Sequence, residues 1–203
     1  MPRLILVRHG ALGRDDTPRY HGHADLPLSA KGLAQAARLR ERLRPLSLAA
    51  VYSSDLARCL RTAQIIAEPH GLAVVQDADL REISFGECEG LSFAEIEARF
   101  PGAERLWMPG NADVCFPGGE SVDLLAKRVG RFLARVAAAH SPDDTVVIVS
   151  HGGPLRLLVC LELGLPPGRW WQVRVDLASV SLFDLYPEGS VLTRLNDVCH
   201  LGG

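Results

Sequence analysis

Apolar residues fall in short continuous runs separated by amphipathic stretches, and the two alternate along most of the chain. Arg3 to Val7 (RLILV) is apolar after its first residue and is stopped by Arg8, His9 and Gly10, which is the pattern of a short buried strand. Residues 11–28 show no periodicity and carry Gly13, Pro18, Gly22 and Pro27, so a long loop is expected; an unstructured loop of that length is usually functional. Ser29 can cap a helix running to about Arg42, with Leu33, Ala36, Ala37 and Leu43 on one face. Ala50–Ser53 reads as a second strand, Asp55–Ala67 as the helix after it, and Gly71–Gln76 as a third strand. From Arg81 to Gly118 the pattern is irregular apart from one short helix over Phe93–Arg99.

Ser121 opens a long amphipathic helix to about Ala139, with Leu125, Val129, Phe132 and Val136 spaced for burial. Thr145–Val149 (TVVIV) is the clearest strand, and Pro154–Leu163 follows as a helix with proline in its first turn. Two alternating runs between Val173 and Leu195 predict an antiparallel pair. Strands alternating with helices predict an α/β fold, a mainly parallel sheet with helices on both faces. With 203 residues, one domain over 1–203 is expected.

Composition narrows the partners. Hydrophobic residues make up 47% and charged residues 23%, ordinary for a globular protein, and the net charge of −2 supplies no positive field for nucleic acid or anionic lipid. The partner expected is instead a small molecule, and if it is an anion a few arginines must hold it. No run approaches a membrane span, and the first ten residues lack the long apolar core of a secretory signal. Five scattered cysteines without a CxxC pair argue against a disulfide framework or a zinc site and point to a reducing, cytoplasmic location. The oligomeric state is unread, with a homodimer left open.

Ligands of open α/β sheets lie beyond the carboxyl ends of the strands, and three groups of residues fall there. Arg8-His9-Gly10 follows the first strand, where the glycine permits a turn that aims both side chains at one pocket. A nucleophilic imidazole must be unprotonated, and neighbouring guanidiniums would keep it so. Arg58 lies in the first turn of the helix after the second strand, against the macrodipole, unless it pairs with Asp55; a bound anion would reverse the penalty. His151-Gly152-Gly153 follows the strongest strand, where the glycines allow close approach and the helix start offers free amides; His151 could donate to an oxyanion. A leaving alkoxide needs a proton, for which Glu82, Glu87 and Glu89 are candidates that residue chemistry alone leaves open; Leu80, Ile83 and Phe85 would partly bury Glu82.

LVRHG, PLSAKGLAQA, SSDLARCLRTA, LREISFGECEG, FPGGESVDLLAKRV and VSHGGPLRLL occur in the order seen in the histidine phosphatase, or phosphoglycerate mutase-like, family, and cover most of residues 3–158. The resemblance implies a three-layer α/β fold with a mainly parallel six-stranded sheet and hydrolysis of a small phosphate ester through a phosphohistidine at His9. It implies phosphate held by Arg8, Arg58 and His151, Glu82 as proton donor, and no metal or other cofactor. Gly152 is counted with the phosphate site. His21 and Gly22 match a loop that contacts phosphate or substrate in relatives; His21 and His23 lack a third ligand spaced for a metal.

YHGHADLPLS and the ending Leu195-Asn196…His200-Leu201 look like alpha-ribazole phosphatases and their broad-specificity relatives. Ala11, Leu12, Asp15 and Cys88 depart from the family pattern and loosen that substrate assignment. The runner-up activity is a phosphoglycerate mutase, although the mutases carry a longer insertion than the short Glu82–Pro117 segment. A phospho-ligand binding protein without chemistry would be expected to lack His9 or Glu82. Trp107, Trp170, Trp171, Phe116 and Phe85 could wall the pocket, with a core or dimer contact favoured for Trp170 and Trp171, and residues 93–116 are the candidate lid.

Overall fold

The computed structural model describes residues 2–13, 19–103, 105 and 111–202. Strands β1 (Arg3–Arg8), β2 (Ala50–Ser53), β3 (Val74–Gln76), β4 (Thr145–Ser150), β5 (Val180–Tyr186) and β6 (Gly189–Asp197) form one sheet in the order β3-β2-β4-β1-β5-β6. Pairing is parallel from β3 through β1, and antiparallel from β1 to β5 and from β5 to β6. The helices are α1 (Ala30–Leu43), α2 (Ala57–Ala67), α3 (Phe93–Arg99), α4 (Val122–Ala139) and α5 (Gly152–Glu162).

The central strands are apolar throughout because both faces are covered. In β1, Leu4 and Leu6 join one core with Val146 and Ile148 of β4 and with Leu125, Val129 and Phe132 of α4. Ile5 and Val7 point the other way, into a second core with Val147, Val149, Leu39 of α1 and Ile66 of α2. The result is the three-layer, mainly parallel six-stranded arrangement expected.

The differences from the sequence reading have local causes. Leu33 is 41% exposed, while Gly32, Ala36, Leu39 and Leu43 form the buried face of α1. A side chain at position 32 is excluded because the chain after β1 crosses there: an added Cβ would lie 2.1 Å from the carbonyl oxygen of Ala11. α5 begins two residues before Pro154, so the amides of Gly152 and Gly153 are themselves its first-turn donors.

Two alanine substitutions separate helix propensity from packing. Gly130→Ala in α4, where the added carbon meets only Leu161 at 3.9 Å, should stabilise the protein by about 0.5–1 kcal/mol. Gly32→Ala should instead destabilise it by about 1–3 kcal/mol despite the same propensity gain, because the obstruction is backbone. Urea denaturation of both variants measures the two signs.

Candidate active site

β4 lies between β1 and β2, so the carboxyl ends of these three strands are neighbours. Arg8 is paired with Ser150 and Ser53 with Val149, and the register continues past the strand ends: His9 N donates to Ser150 O at 3.1 Å and Ser54 N to Val149 O at 3.0 Å. Three segments far apart in sequence thereby present His9, Arg58 and His151 at one place. The His9 and His151 rings meet edge to face, with centroids 5.2 Å apart.

Hydrogen bonds fix both tautomers. His9 Nδ1 lies 2.7 Å from the Gly10 carbonyl oxygen, which can only accept, so Nδ1 carries the proton and Nε2 keeps its lone pair. Arg58 Nε, which can only donate, meets His151 Nδ1 at 3.1 Å; the His151 proton is therefore on Nε2, which donates to Ser54 Oγ at 2.9 Å. Burial, and next the positive charges of Arg8 and Arg58, push His9 down from 6.5 to about 3. Burial and the neighbouring His9 and Arg58 push His151 the same way.

Arg58 turns inward rather than toward Asp55, which pairs with Arg81 at 2.7 Å. Besides His151, its guanidinium donates to the carbonyls of Ala24 (2.6 Å) and Gly22 (2.7 Å). Arg8 donates to Val175 O at 2.8 Å, and its buried Nε has no partner. Neither arginine forms a salt bridge with a carboxylate of a described residue. Burial lowers both from the ordinary guanidinium value. The resulting pocket floor is strongly electropositive.

The three glutamates part company. Only Glu82 lines the cavity; its carboxylate accepts from Gly153 N at 3.1 and 3.2 Å and from Ile83 N at 2.9 Å. Glu89 is consumed by the amides of Gly22, His23 and Phe85, and Glu87 extends to the exposed Arg99. A Cβ at Gly153 would lie 2.3 Å from Glu82 Oε1, so a side chain there would displace this carboxylate. The Glu82 carbonyl is gripped by Arg128 Nη2 at 2.8 Å and His23 Nε2 at 3.0 Å, and Arg128 is anchored to both oxygens of Glu120.

A cavity of about 1090 Å³ opens above these groups, lined at its base by Arg8, His9, Arg58, Glu82, Gly152 and Gly153. His21, Ala11 and Leu12 line it as well. His151 and Gly22 do not: His151 is fully buried beneath the floor, and Gly22 spends its carbonyl on Arg58 and its amide on Glu89. Trp170 packs against the core, as favoured, and both it and Trp171 line the cavity wall, because the turn Pro167–Gln172 folds back over α5. No described residue of 93–116 reaches the cavity, so the lid expected there is not formed by them; Phe116 instead packs on Phe85 with centroids 4.9 Å apart. Asp15 and Trp107 lie outside the described residues.

The sequence reading missed several members. Arg128 occupies the apolar stripe of α4 between Leu125 and Val129, and a charged residue on a buried face was the available signal. The tail has a comparable role. Asn196, with φ 52°, holds Asp176 through two hydrogen bonds of 2.6 and 2.8 Å, next to the Val175 carbonyl that orients Arg8. Ser54, Arg156 and Lys31 carried no sequence signal for this site.

An imidazole with one bare nitrogen between guanidiniums can attack phosphorus, and a carboxylate across the cavity can move a proton, so fold and site together define an enzyme of phosphoryl chemistry. The model of the histidine phosphatase superfamily (branch 1) matches residues 4–198, and the chain belongs to that superfamily. It is a phosphatase. "Phosphoserine phosphatase 1" of Hydrogenobacter thermophilus is 37% identical over 202 residues, covering 100% of this chain and 95% of the relative. A Salmonella choleraesuis protein named "probable phosphoglycerate mutase" is 37% identical over 208 residues, covering 99% and 95%. The crystal structure of an alpha-ribazole phosphatase from Shigella flexneri superposes with a TM-score of 0.87 at 31% identity, covering 96% of each chain.

The depressed proton affinity of His9 should be visible in stability. The unfolded chain takes up a proton near pH 6.5 that the folded protein refuses until about 3, so the contribution is complete above 6.5 and lost as pH falls through that window. Each such histidine adds a slope of up to about 1.4 kcal/mol per pH unit. Urea denaturation between pH 7.5 and 4.5 should show His9→Asn flattening this slope; an unchanged slope would contradict the assignment.

Proposed function

We propose that the protein hydrolyses small phosphate monoesters in two steps through a phosphohistidine at His9. The carrying observation is the bond from His9 Nδ1 to Gly10 O, which leaves Nε2 as a nucleophile on the floor of an electropositive cavity. Nε2 forms a bond to phosphorus as the ester oxygen departs, and Arg8, Arg58 and the Gly152 end of α5 offset the charge of the equatorial oxygens. Glu82 gives the departing alkoxide a proton. Water then attacks the phosphohistidine, Glu82 takes its proton, and inorganic phosphate leaves with His9 neutral again.

His151 acts through its neighbours in this reading. It seats Arg58 by accepting from Nε, while its own Nε2–H is engaged by Ser54 Oγ. Cys59, 3.3 Å from His151 Nε2, plays no nucleophilic part, since burial pushes its thiol upward and keeps it protonated. His21 contributes to the wall rather than to the reacting centre. Alpha-ribazole phosphate fits the reading as one small phosphate ester among several. Transfer to a second acceptor, as in a mutase, differs from hydrolysis by the fate of the phosphoryl group, and release of inorganic phosphate decides between them.

During turnover an acid-labile, base-stable phosphoryl label should appear on His9, and His9→Ala should remove both label and activity. Labelling at any other residue would sink the mechanism.

Glu82→Gln should slow alkyl phosphates about 10²–10⁴-fold in kcat, the usual worth of general acid–base catalysis, with a distinctly smaller loss for p-nitrophenyl phosphate during formation of the phosphoenzyme. Equal losses in single-turnover measurements would remove Glu82 from the acid role.

A further inference from the structure

The cavity holds more positive charge than one phosphate needs. Among the described residues its lining includes Arg8, Arg19, Lys31, Arg58 and Arg156 but a single carboxylate, that of Glu82. Arg8 and Arg58 form the floor around His9. Arg19 is spoken for, donating to Glu95 at 2.8 Å and to the Gly90 carbonyl at 2.7 Å. Arg156 is different. Its Nε is buried without a hydrogen-bond partner, and no carboxylate of a described residue pairs with it.

Its position is set by α5. Arg156 stands one turn beyond Gly152, so the two share a helix face about 5–6 Å apart. A Cβ at Gly152 would lie 3.5 Å from Arg8 Cζ, which puts that face directly beside the phosphate arginine. The Arg156 guanidinium lies 5.7 Å from the centre of the Trp170 ring, a contact that holds the group against the cavity wall. An unpaired guanidinium is costly to hold in a partly dry wall unless an anion arrives there. A planar fork is matched by a carboxylate, bound through two parallel hydrogen bonds.

We propose that Arg156 is a specificity residue that receives a carboxylate of the substrate, so that the preferred substrates are phosphate esters of short hydroxy acids or hydroxy amino acids. The assignment rests on the cavity being the phosphatase site proposed above. One turn of helix separates the two anion positions, which suits a carboxylate only a few bonds from the ester oxygen. Trp170 and Trp171 flank the short carbon skeleton rather than a stacked base.

Matched pairs test this. Phosphoserine and phosphoethanolamine differ only by the carboxylate, and 3-phosphoglycerate and glycerol 3-phosphate differ by carboxylate against hydroxymethyl. The wild-type protein should favour the acid of each pair by about 10-fold or more in kcat/KM, as expected for a buried charge-assisted pair. Arg156→Met should bring both ratios close to one, chiefly through KM, and Arg156→Lys should keep part of the preference. Equal wild-type rates within each pair would overturn the proposal, as would preference for a nucleoside 5′-monophosphate or alpha-ribazole phosphate over both acids. An Arg156→Met loss of equal size on all four substrates would show a merely structural residue. Wild-type turnover of p-nitrophenyl phosphate keeps the two levels apart: a flat ratio with that turnover overturns Arg156 alone, and no turnover overturns the phosphatase site beneath it.

Discussion

A buried guanidinium, Arg58, and a half-buried one, Arg8, neither paired with a carboxylate of a described residue, are the constraint around which this site is built. Unpaired buried charge is among the most expensive features a protein can hold, because removal from water is not returned by a salt bridge. Here the compensation is distributed over neutral acceptors: the carbonyls of Gly22, Ala24 and Val175 and the Nδ1 of His151. These acceptors orient the arginines without neutralising them. The field therefore persists, and it adds to the larger effect of burial in keeping the His9 imidazole unprotonated at neutral pH.

Much of the surrounding structure serves that arrangement. The long loop after β1 has to bring two carbonyls to Arg58, which explains why Gly22 cannot carry a side chain: its Cβ would meet Ile83 O at 2.2 Å. The β5–β6 hairpin completes the other side, where Asn196 ties Asp176 in place beside the carbonyl that Arg8 uses. Glu82 is held from behind rather than from within the cavity, with Arg128 bridging three carbonyls, those of Asp79, Arg81 and Glu82, to Glu120. A substitution at Arg128 would shift the carboxylate without touching the phosphate, which is the behaviour of a positioning residue.

The parts of this design that were legible in the sequence are those governed by short-range rules. β1, β2 and β4 announce themselves as apolar runs stopped by polar residues, and the strand-end rule then brings His9, Arg58 and His151 together. The buried face of α1 was misjudged because periodicity treats Leu33 and Leu39 alike, whereas the crossing of Ala11 over Gly32 rotates the helix so that Leu39 is the buried one. The choice among Glu82, Glu87 and Glu89 was closed by family resemblance, not by residue chemistry; in the fold it follows from who accepts which amide. Trp170 packs against the core and also lines the cavity with Trp171; the choice between core and pocket wall for the two stayed open because their position depends on a turn packing back over α5, a contact without a local pattern. The same holds for Ser54, whose hydroxyl matters only because the sheet sets it beside His151.

One helix now appears twice. The first turn of α5 gives Gly153 N to Glu82 and sets Gly152 against Arg8, and the next turn carries Arg156 toward Trp170. If the proposed carboxylate subsite is right, chemistry and selectivity are mounted on a single rigid element, with no loop between them to blur their spacing. That layout would fix the distance from phosphorus to carboxylate more tightly than a lid could, since a helix holds its one-turn spacing far more rigidly than a loop. It would also let selectivity drift: exchanging Arg156 or the Trp170 turn changes what the outer wall accepts, while the buried charges that activate His9 stay where the sheet puts them.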